Sequence, residues 1–201
     1  MIHKAKLDSL TSEHFVALKN YLREMFSFCP PEPFFIGPRS SKLKFSIGID
    51  PRRVENHEVI HLAKDALEWN RFRTAHSNVQ AFMLSHDDKT IAAEVPLWLH
   101  PSECDENLLA KFQERFQEEG PLSGHIDLVR IEDGKIWIWD YKPKADKEKY
   151  ASTQVYFYAL MLSKRTKIPL ENFMCGYFDD KSCFVFKPDE KYLRERQTMI
   201  S

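Results

Sequence analysis

The chain has 201 residues, of which 43% are hydrophobic and 13% aromatic, so it can bury the core of one ordinary domain and is too apolar to be disordered. Its 29 Lys and Arg residues and 30 Asp and Glu residues leave a net charge of −1. This balance excludes nucleic-acid binding through bulk positive charge, although it is compatible with a local basic groove. No apolar stretch has the length of a membrane span, and residues 1–8 lack the apolar core of a secretory signal. We therefore expect a cytoplasmic protein with no membrane contact.

The first half of the chain is predicted to be largely helical. Apolar residues recur at helical spacing over residues 8–28, and the prolines that follow end this helix. Residues 43–49 alternate between apolar and polar types as in a short strand. A second helix is predicted over residues 57–72, followed by two strands over residues 79–85 and 91–99 that a hairpin turn would join.

The second half of the chain contains a clearer alternation of strands and helices. A charged helix is predicted over residues 104–118, and a tight turn at 132–134 predicts a hairpin of strands 124–131 and 135–142. An amphipathic helix over residues 150–165 and a final strand pair, 173–178 and 182–187, complete the list. This order predicts an α/β fold with a mixed central sheet flanked by helices. We divide it into an N-terminal helical extension and linker, residues 1–56, and a core, residues 57–201, within one compact unit.

Acidic residues and a lysine fall at unusual places in these predicted strands. Asp140 and Lys142 lie two residues apart on an otherwise apolar strand, so their side chains share one face. Burying such groups is costly unless they have partners. The tight turn would bring Asp127 alongside Asp140, and Glu94 lies in another apolar strand. Carboxylates bind hard divalent ions, which acidify water and stabilise charge on phosphate, and a lysine can assist the transition state. The set therefore suggests metal-assisted phosphodiester cleavage.

Three short motifs follow one another in the second half of the chain. They are Gly124-x-x-Asp127, Asp140-x-Lys142 and Gln154-x-x-x-Tyr158. In this order they resemble the G-x-x-D, D-x-K and Q-x-x-x-Y motifs of the RecB-like exonuclease branch of the PD-(D/E)xK nuclease superfamily. The resemblance covers roughly residues 57–187. The chain departs from the family at Pro143, where a glycine-containing turn is common.

The resemblance implies a restriction-endonuclease-like core and a deoxyribonuclease that uses Mg²⁺ or Mn²⁺, as an exonuclease or end-processing enzyme acting on single-stranded DNA or on the ends of double-stranded DNA. The metal ligands it implies are Glu94, Asp127, Asp140, the backbone carbonyl of Tyr141 and a histidine from a preceding helix. That histidine is assigned to His61, with His57 as the alternative. Lys142 is the implied catalytic lysine, and Gln154 and Tyr158 are the implied contacts to the active site or the DNA backbone. Lys144, in the charged loop that follows, is a candidate DNA contact from its charge, with a solvated loop as the alternative. Nucleases of this size in the branch serve CRISPR, phage and recombination systems, so protein partners of that kind are expected.

Three alternatives compete with this interpretation. Residues His57 to His61 read H-E-x-x-H, which on a helix could bind zinc with Glu58 as the general base of a metalloprotease. A second alternative is a nucleic-acid-binding module of the same fold without activity, although the complete set of acids and the lysine argues against it. Some RecB-like enzymes also hold an iron–sulfur cluster through one upstream and three downstream cysteines. Here only Cys175 and Cys183 lie downstream, so we expect thiols and no cluster.

Overall fold

The structure, a computed structural model, describes residues 1–104 and 120–194. Six strands form one sheet: β1 (Arg52–Arg53), β2 (Thr90–Leu99), β3 (Leu122–Glu132), β4 (Lys135–Tyr141), β5 (Phe173–Phe178) and β6 (Cys183–Phe186). Their spatial order is β1-β6-β5-β4-β3-β2, and within it β4 and β5 are parallel while the other neighbours are antiparallel. The helices are α1 (Lys4–Leu10), α2 (Val16–Ser27), α3 (Glu58–Trp69), α4 (Ala75–His86), α5 (Ala151–Thr166) and α6 (Lys191–Arg194). In the described ranges, no helix combines the length and the hydropathy that a membrane crossing requires.

The central strand β4 separates two hydrophobic layers because its side chains alternate between the faces of the sheet. Ile136 and Ile138 pack into a layer formed with α1, α2 and α5, whereas Trp137 and Trp139 pack into a layer formed with α3 and α4. Helix α5 is buried from its first residue as far as Leu162. The predicted α/β class, a mixed sheet with helices on both faces, is therefore confirmed.

The hairpin of β3 and β4 confirms the tight turn predicted from the sequence. Asp133 and Gly134 connect the strands with φ values of 49° and 68°. Two-residue hairpin turns of this type need positive φ at both central positions, which an Asp-Gly pair adopts at low cost. The predicted second helix, the strand over residues 91–99, the helix over residues 150–165 and the last strand pair are likewise present.

The single helix predicted over residues 8–28 is wrong, because the structure has α1 and α2 there. The backbone N–H and the hydroxyl of Thr11 both donate to the carbonyl of Leu7 and close α1. Phe15 then adopts a left-handed φ of 61° before α2 begins. The apolar spacing continues through the break because both helices pack their apolar residues into the same hydrophobic layer on one face of the sheet.

The strand predicted over residues 79–85 is also wrong, since these residues belong to α4. The Thr74 side chain caps the helix by accepting a hydrogen bond from the backbone N–H of Ser77. The strand predicted over residues 43–49 is wrong, because these residues do not join the sheet. Gly48 has a φ of 75°, and Ile47 packs into the layer with α5. The predicted helix over residues 104–118 lies outside the described residues apart from its first position.

Candidate active site

Two buried carboxylates lie side by side where β3 and β4 approach the end of their pairing. Leu128 is opposite Trp139, so the next residues in this register are Asp127 and Asp140. Asp127 is 6% exposed and Asp140 is 1% exposed. They line a cavity of about 240 Å³, which we call the acidic cavity. Six of its lining residues come from the three sequence motifs: Gly124, Asp127, Asp140, Lys142, Gln154 and Tyr158.

The third predicted acid, Glu94, interrupts the regular alternation of β2. Its φ of 53° is left-handed, and its neighbours Ala93 and Val95 pack into opposite hydrophobic layers. Simple strand parity, which would place these two neighbours on one face, therefore fails here. A left-handed conformation costs a non-glycine residue about 1–2 kcal/mol, and such strain concentrates at functional sites.

A histidine from α4, His76, lies beside the carboxylates of Asp127 and Glu94. His76 Nε2 lies 2.8 Å from Asp127 Oδ1 and 4.0 Å from Glu94 Oε1. One ligand atom from each of these three residues lies within 4.8 Å of the others. The hydrogen bond to Asp127 raises the pKa of His76, against the effect of burial. Sequence reasoning missed His76 because α4 was interpreted as a strand.

His61 does not occupy this position, since it is exposed on α3 and lies outside the residues that line the acidic cavity. His57 precedes α3, caps it by accepting from the backbone N–H of Val59 at 3.3 Å, and packs its ring against Trp139. Glu58 pairs with other residues, at 2.8 Å from Lys89 and 2.7 Å from Arg130. In the H-E-x-x-H pattern, His57 thus caps a helix, Glu58 belongs to an ion-pair network and His61 lies on the exposed surface. This arrangement does not support a zinc protease.

Gln80 is a second residue that sequence reasoning missed. It is 3% exposed, and its side-chain nitrogen donates to Glu94 Oε1 at 2.5 Å and to Asp127 Oδ1 at 3.4 Å. One turn of α4 separates it from His76, so the helix supplies two adjacent groups to the same carboxylates. The helical recurrence of Val79, Gln80 and Met83 after the capping Thr74 was the available signal for both residues.

The Asp140 and Lys142 side chains form an ion pair at the wall of the cavity. Lys142 Nζ lies 2.7 Å from Asp140 Oδ2. Burial and the charge of Asp127 raise the pKa of Asp140 to about 7, although the Lys142 ammonium opposes this change. Burial lowers the pKa of Lys142, but attraction to Asp140 and Asp127 outweighs burial and leaves it raised. Lys142 is therefore charged near neutral pH, and Asp140 keeps its proton to a higher pH than an ordinary carboxyl group does.

The Q-x-x-x-Y motif and the G-x-x-D motif contact each other directly. Gln154 donates to the Tyr158 hydroxyl at 2.8 Å and lies 3.5 Å from Asp140 Oδ1. A Cβ atom at Gly124 would lie 2.6 Å from Tyr158 Cε1. Only glycine therefore allows the tyrosine ring to pack against β3, which gives the two motifs one physical explanation. Burial raises the pKa of Tyr158 well above its usual value, so the phenol is neutral.

The remaining predicted site residues are placed as follows. The backbone N–H of Tyr141 donates to Asp127 Oδ2 at 2.9 Å, so the peptide group that joins Asp140 to Tyr141 lies beside this carboxylate. The Tyr141 carbonyl belongs to the next peptide group, and its role as a ligand stays a prediction. Lys144 is exposed beyond β4, with a φ of 69°, and does not line the acidic cavity. Cys175 packs into the layer with α5 and Cys183 into the layer with α3 and α4, so these thiols face opposite sides of the sheet.

The donor set fits a hard divalent cation. Carboxylate oxygens are the ligands that Mg²⁺ and Mn²⁺ prefer in proteins, and an imidazole nitrogen is a ligand typical of transition-metal ions. Asp140 Oδ2 is shielded from solvent and, in the described residues, its close polar contact is the Lys142 ammonium. The carboxylates of Glu94 and Asp127 meet beside Asp140, and a bound cation would offset the repulsion between them.

Comparisons with known proteins identify the family of the chain. A solved structure described as "Crystal structure of SSO0001" is similar at 13% sequence identity and a TM-score of 0.41, over 89% of this chain and 80% of that chain. A search of curated proteins found no match. The family model of the PD-(D/E)XK nuclease superfamily matches residues 49–198. The chain therefore belongs to the PD-(D/E)XK nuclease superfamily, as its motifs predicted. Membership implies a nuclease that acts on nucleic acid, with a divalent metal as the cofactor typical of the superfamily.

Proposed function

We propose that the chain is a RecB-like deoxyribonuclease that hydrolyses DNA phosphodiester bonds with Mg²⁺ or Mn²⁺, as an exonuclease or end-processing enzyme. One observation carries the proposal: ligand atoms of His76, Glu94 and Asp127 lie within 4.8 Å of one another, beside the Asp140–Lys142 pair. A cation-binding group next to a charged lysine in one cavity is what phosphodiester cleavage requires.

Each side chain has a role that follows from its position. Glu94, Asp127, Asp140 and His76 would hold the cation, which when bound acidifies water and stabilises charge on the phosphate. The Lys142 ammonium, a charged donor at the cavity wall, stabilises the negative oxygens of the scissile phosphate. Gln80 fixes the orientation of the Glu94 carboxylate through its hydrogen bond.

The assignment to the RecB-like branch is supported by the way the motifs pack. Gly124 and Tyr158 are in contact, and Gln154 links Tyr158 to Asp140, so the ordered motifs form one physical unit. A histidine from the helix before β2 also matches the position that this branch uses. The exonuclease activity rests on the Q-x-x-x-Y motif and is tested by the products.

The direct test is cleavage of end-labelled single- and double-stranded DNA in Mg²⁺, Mn²⁺ or EDTA. We expect metal-dependent degradation by the wild type and a loss of at least about 10²-fold in Asp140→Asn and Lys142→Met. Lys135→Ala is the matched control, because Lys135 lies at the other end of β4 and donates to the carbonyl of Glu171 on the surface. Release of mononucleotides or short end products supports exonuclease action, whereas internal cuts in a circular substrate contradict it.

Two results would overturn the proposal. DNA binding without cleavage in either metal would identify an inactive binding module of the same fold. Stoichiometric zinc in the purified protein, lost in His57→Ala and His61→Ala but retained in Asp127→Asn, would favour the protease alternative.

A further inference from the structure

A segment that has no role in the proposed chemistry forms one wall of the acidic cavity. It contains two short 3-10 turns, Glu32–Phe34 and Ser40–Lys42. The backbone N–H of Ser123 donates to the Pro38 carbonyl at 3.0 Å, and the Ser40 hydroxyl donates to the Ser123 carbonyl at 3.1 Å. These bonds attach the segment to β3 directly before Gly124, so the wall has a fixed position relative to the carboxylates.

The wall carries an aromatic surface and an exposed cation. The Phe34 and His125 rings lie 5.2 Å apart between centroids with an interplanar angle of 34°, and Phe34 also meets the edge of Trp98. His125 is exposed, so this side of the aromatic surface is open to solvent. Arg39 is exposed too, and among the described residues no carboxylate lies within 4 Å of its guanidinium.

The lining of the acidic cavity therefore combines two chemically different groups. Asp127, Asp140 and Lys142 are the residues at which a phosphodiester would be cleaved, and Phe34 and Arg39 lie beside residues 123–125 of β3, before Asp127 in the chain. Aromatic rings beside an arginine are the combination with which proteins bind unpaired bases and the phosphates that follow them. The volume of about 240 Å³ is below the roughly 300–1,000 Å³ of pockets for drug-sized ligands. So small a cavity favours one unpaired base over a base pair.

We propose that Phe34, His125 and Arg39 form a subsite for one unpaired nucleotide, and that the substrate enters as single-stranded DNA. The base stacks on the Phe34–His125 surface, and Arg39 binds the adjoining phosphate. The proposal rests on the proposed nuclease function and specifies its substrate class.

The test measures binding without cleavage, by fluorescence anisotropy in EDTA. The probes are a labelled single strand, the same strand in a blunt duplex, and a strand of equal length in which the bases are replaced by abasic sites. We expect the single strand to bind more tightly than the duplex. The abasic strand should bind about 5- to 150-fold more weakly, the equivalent of about 1–3 kcal/mol for stacking one base.

Two variants separate base stacking from phosphate binding. Phe34→Leu keeps an apolar side chain against Trp98 but removes the ring, so it should remove most of the difference between normal and abasic strands. Arg39→Ala should weaken the binding of the normal and the abasic strand equally. It should also reduce the slope of log affinity against log salt concentration by about one. The matched controls are Phe35→Leu, a 79% exposed neighbour that does not line the cavity, and Arg53→Ala on the edge strand β1. Circular dichroism and thermal unfolding verify that each variant is folded.

Several results would overturn the subsite. They are equal binding of normal and abasic strands by the wild type, duplex binding as tight as single-strand binding, no DNA binding, or equal effects of Phe34→Leu and Phe35→Leu. Because binding is measured in EDTA, its outcome is independent of cleavage. A protein that binds single strands as expected but never cleaves them refutes the proposed function and leaves the subsite standing.

Discussion

Replacing Gly124 with alanine tests the packing that joins the two motifs. The new Cβ would lie 2.6 Å from Tyr158 Cε1, whereas ordinary contact begins at 3.4 Å, so the ring must retreat by about 0.8 Å. Tyr158 is 2% exposed on the buried helix α5 and cannot turn into solvent. Overpacking of this kind costs about 1–3 kcal/mol. For a domain of this size, Tm should fall by about 2–12 °C.

The same change should slow cleavage beyond its effect on stability. A displaced Tyr158 hydroxyl would shift Gln154, which donates to it, and Gln154 also contacts Asp140 in the acidic cavity. Misplacement by about 1 Å can cost on the order of 10²-fold in rate. We would compare urea unfolding with single-turnover cleavage well below Tm. The control is Gly134→Ala, which should cost about 1 kcal/mol through its φ of 68°, with open space around it and no contact with the site.

A double-mutant cycle decides whether the tyrosine ring is the cause. In a Tyr158→Ala background, Gly124→Ala should lower the free energy of unfolding by less than half of the amount by which it lowers that of the wild type. If Gly124→Ala is equally destabilising with and without the ring, the proposed contact does not explain the glycine.

Three further predictions concern other parts of the molecule. Glu94→Gly should be more stable than Glu94→Ala by about 1 kcal/mol in urea unfolding, because a φ of 53° favours glycine; the reverse order, normal for a strand, would contradict a left-handed backbone at this position. In EDTA, the Asp140 pKa of about 7 means that the folded protein keeps a proton that the unfolded chain releases near pH 4. The free energy of unfolding should therefore fall as pH rises from 4 to 7, and should fall less in Asp140→Asn; identical slopes would refute the raised pKa. Arg130→Met should cost about 3–5 kcal/mol, because it leaves the buried Asp87 carboxylate without its guanidinium. Asp87→Asn in the same chain should restore part of this loss, and urea unfolding measures both effects.

The part of the fold that could be predicted is the part that local patterns determine. The hairpin of β3 and β4 has its turn residues, its alternation and its acids within one short segment, so Asp127 and Asp140 could be paired from sequence alone. Helix α5 was predictable because its length and periodicity agree. Assignment of catalytic roles to these residues depends on the family resemblance and is still a prediction.

The rest depended on long-range packing. The window over residues 79–85 was too short to distinguish a buried helix from a strand, since buried residues on both sides of α4 removed its amphipathic signal. This error hid His76 and Gln80. Alternation along β2 could not reveal the left-handed backbone at Glu94, because its neighbours were expected to share one face. The position of residues 34–41 beside the acidic cavity depends on backbone bonds to β3 that no local pattern encodes.

The buried Arg130 also attaches to the sheet the helix α4 that contributes His76 to the acidic cavity. Its guanidinium binds Glu58, the first residue of α3, and Asp87, the residue that follows α4. Strand β3 thus holds α4 at one end through Arg130 and at the other through the Asp127–His76 contact. Helix α4 would remain attached to β3 through Arg130 and Asp87 if the contact between His76 and Asp127 were lost. If the proposed roles of His76 and Asp127 hold, substitutions at these residues would remove activity and still leave a folded protein, so this architecture would allow a nuclease to evolve into a protein that only binds nucleic acid.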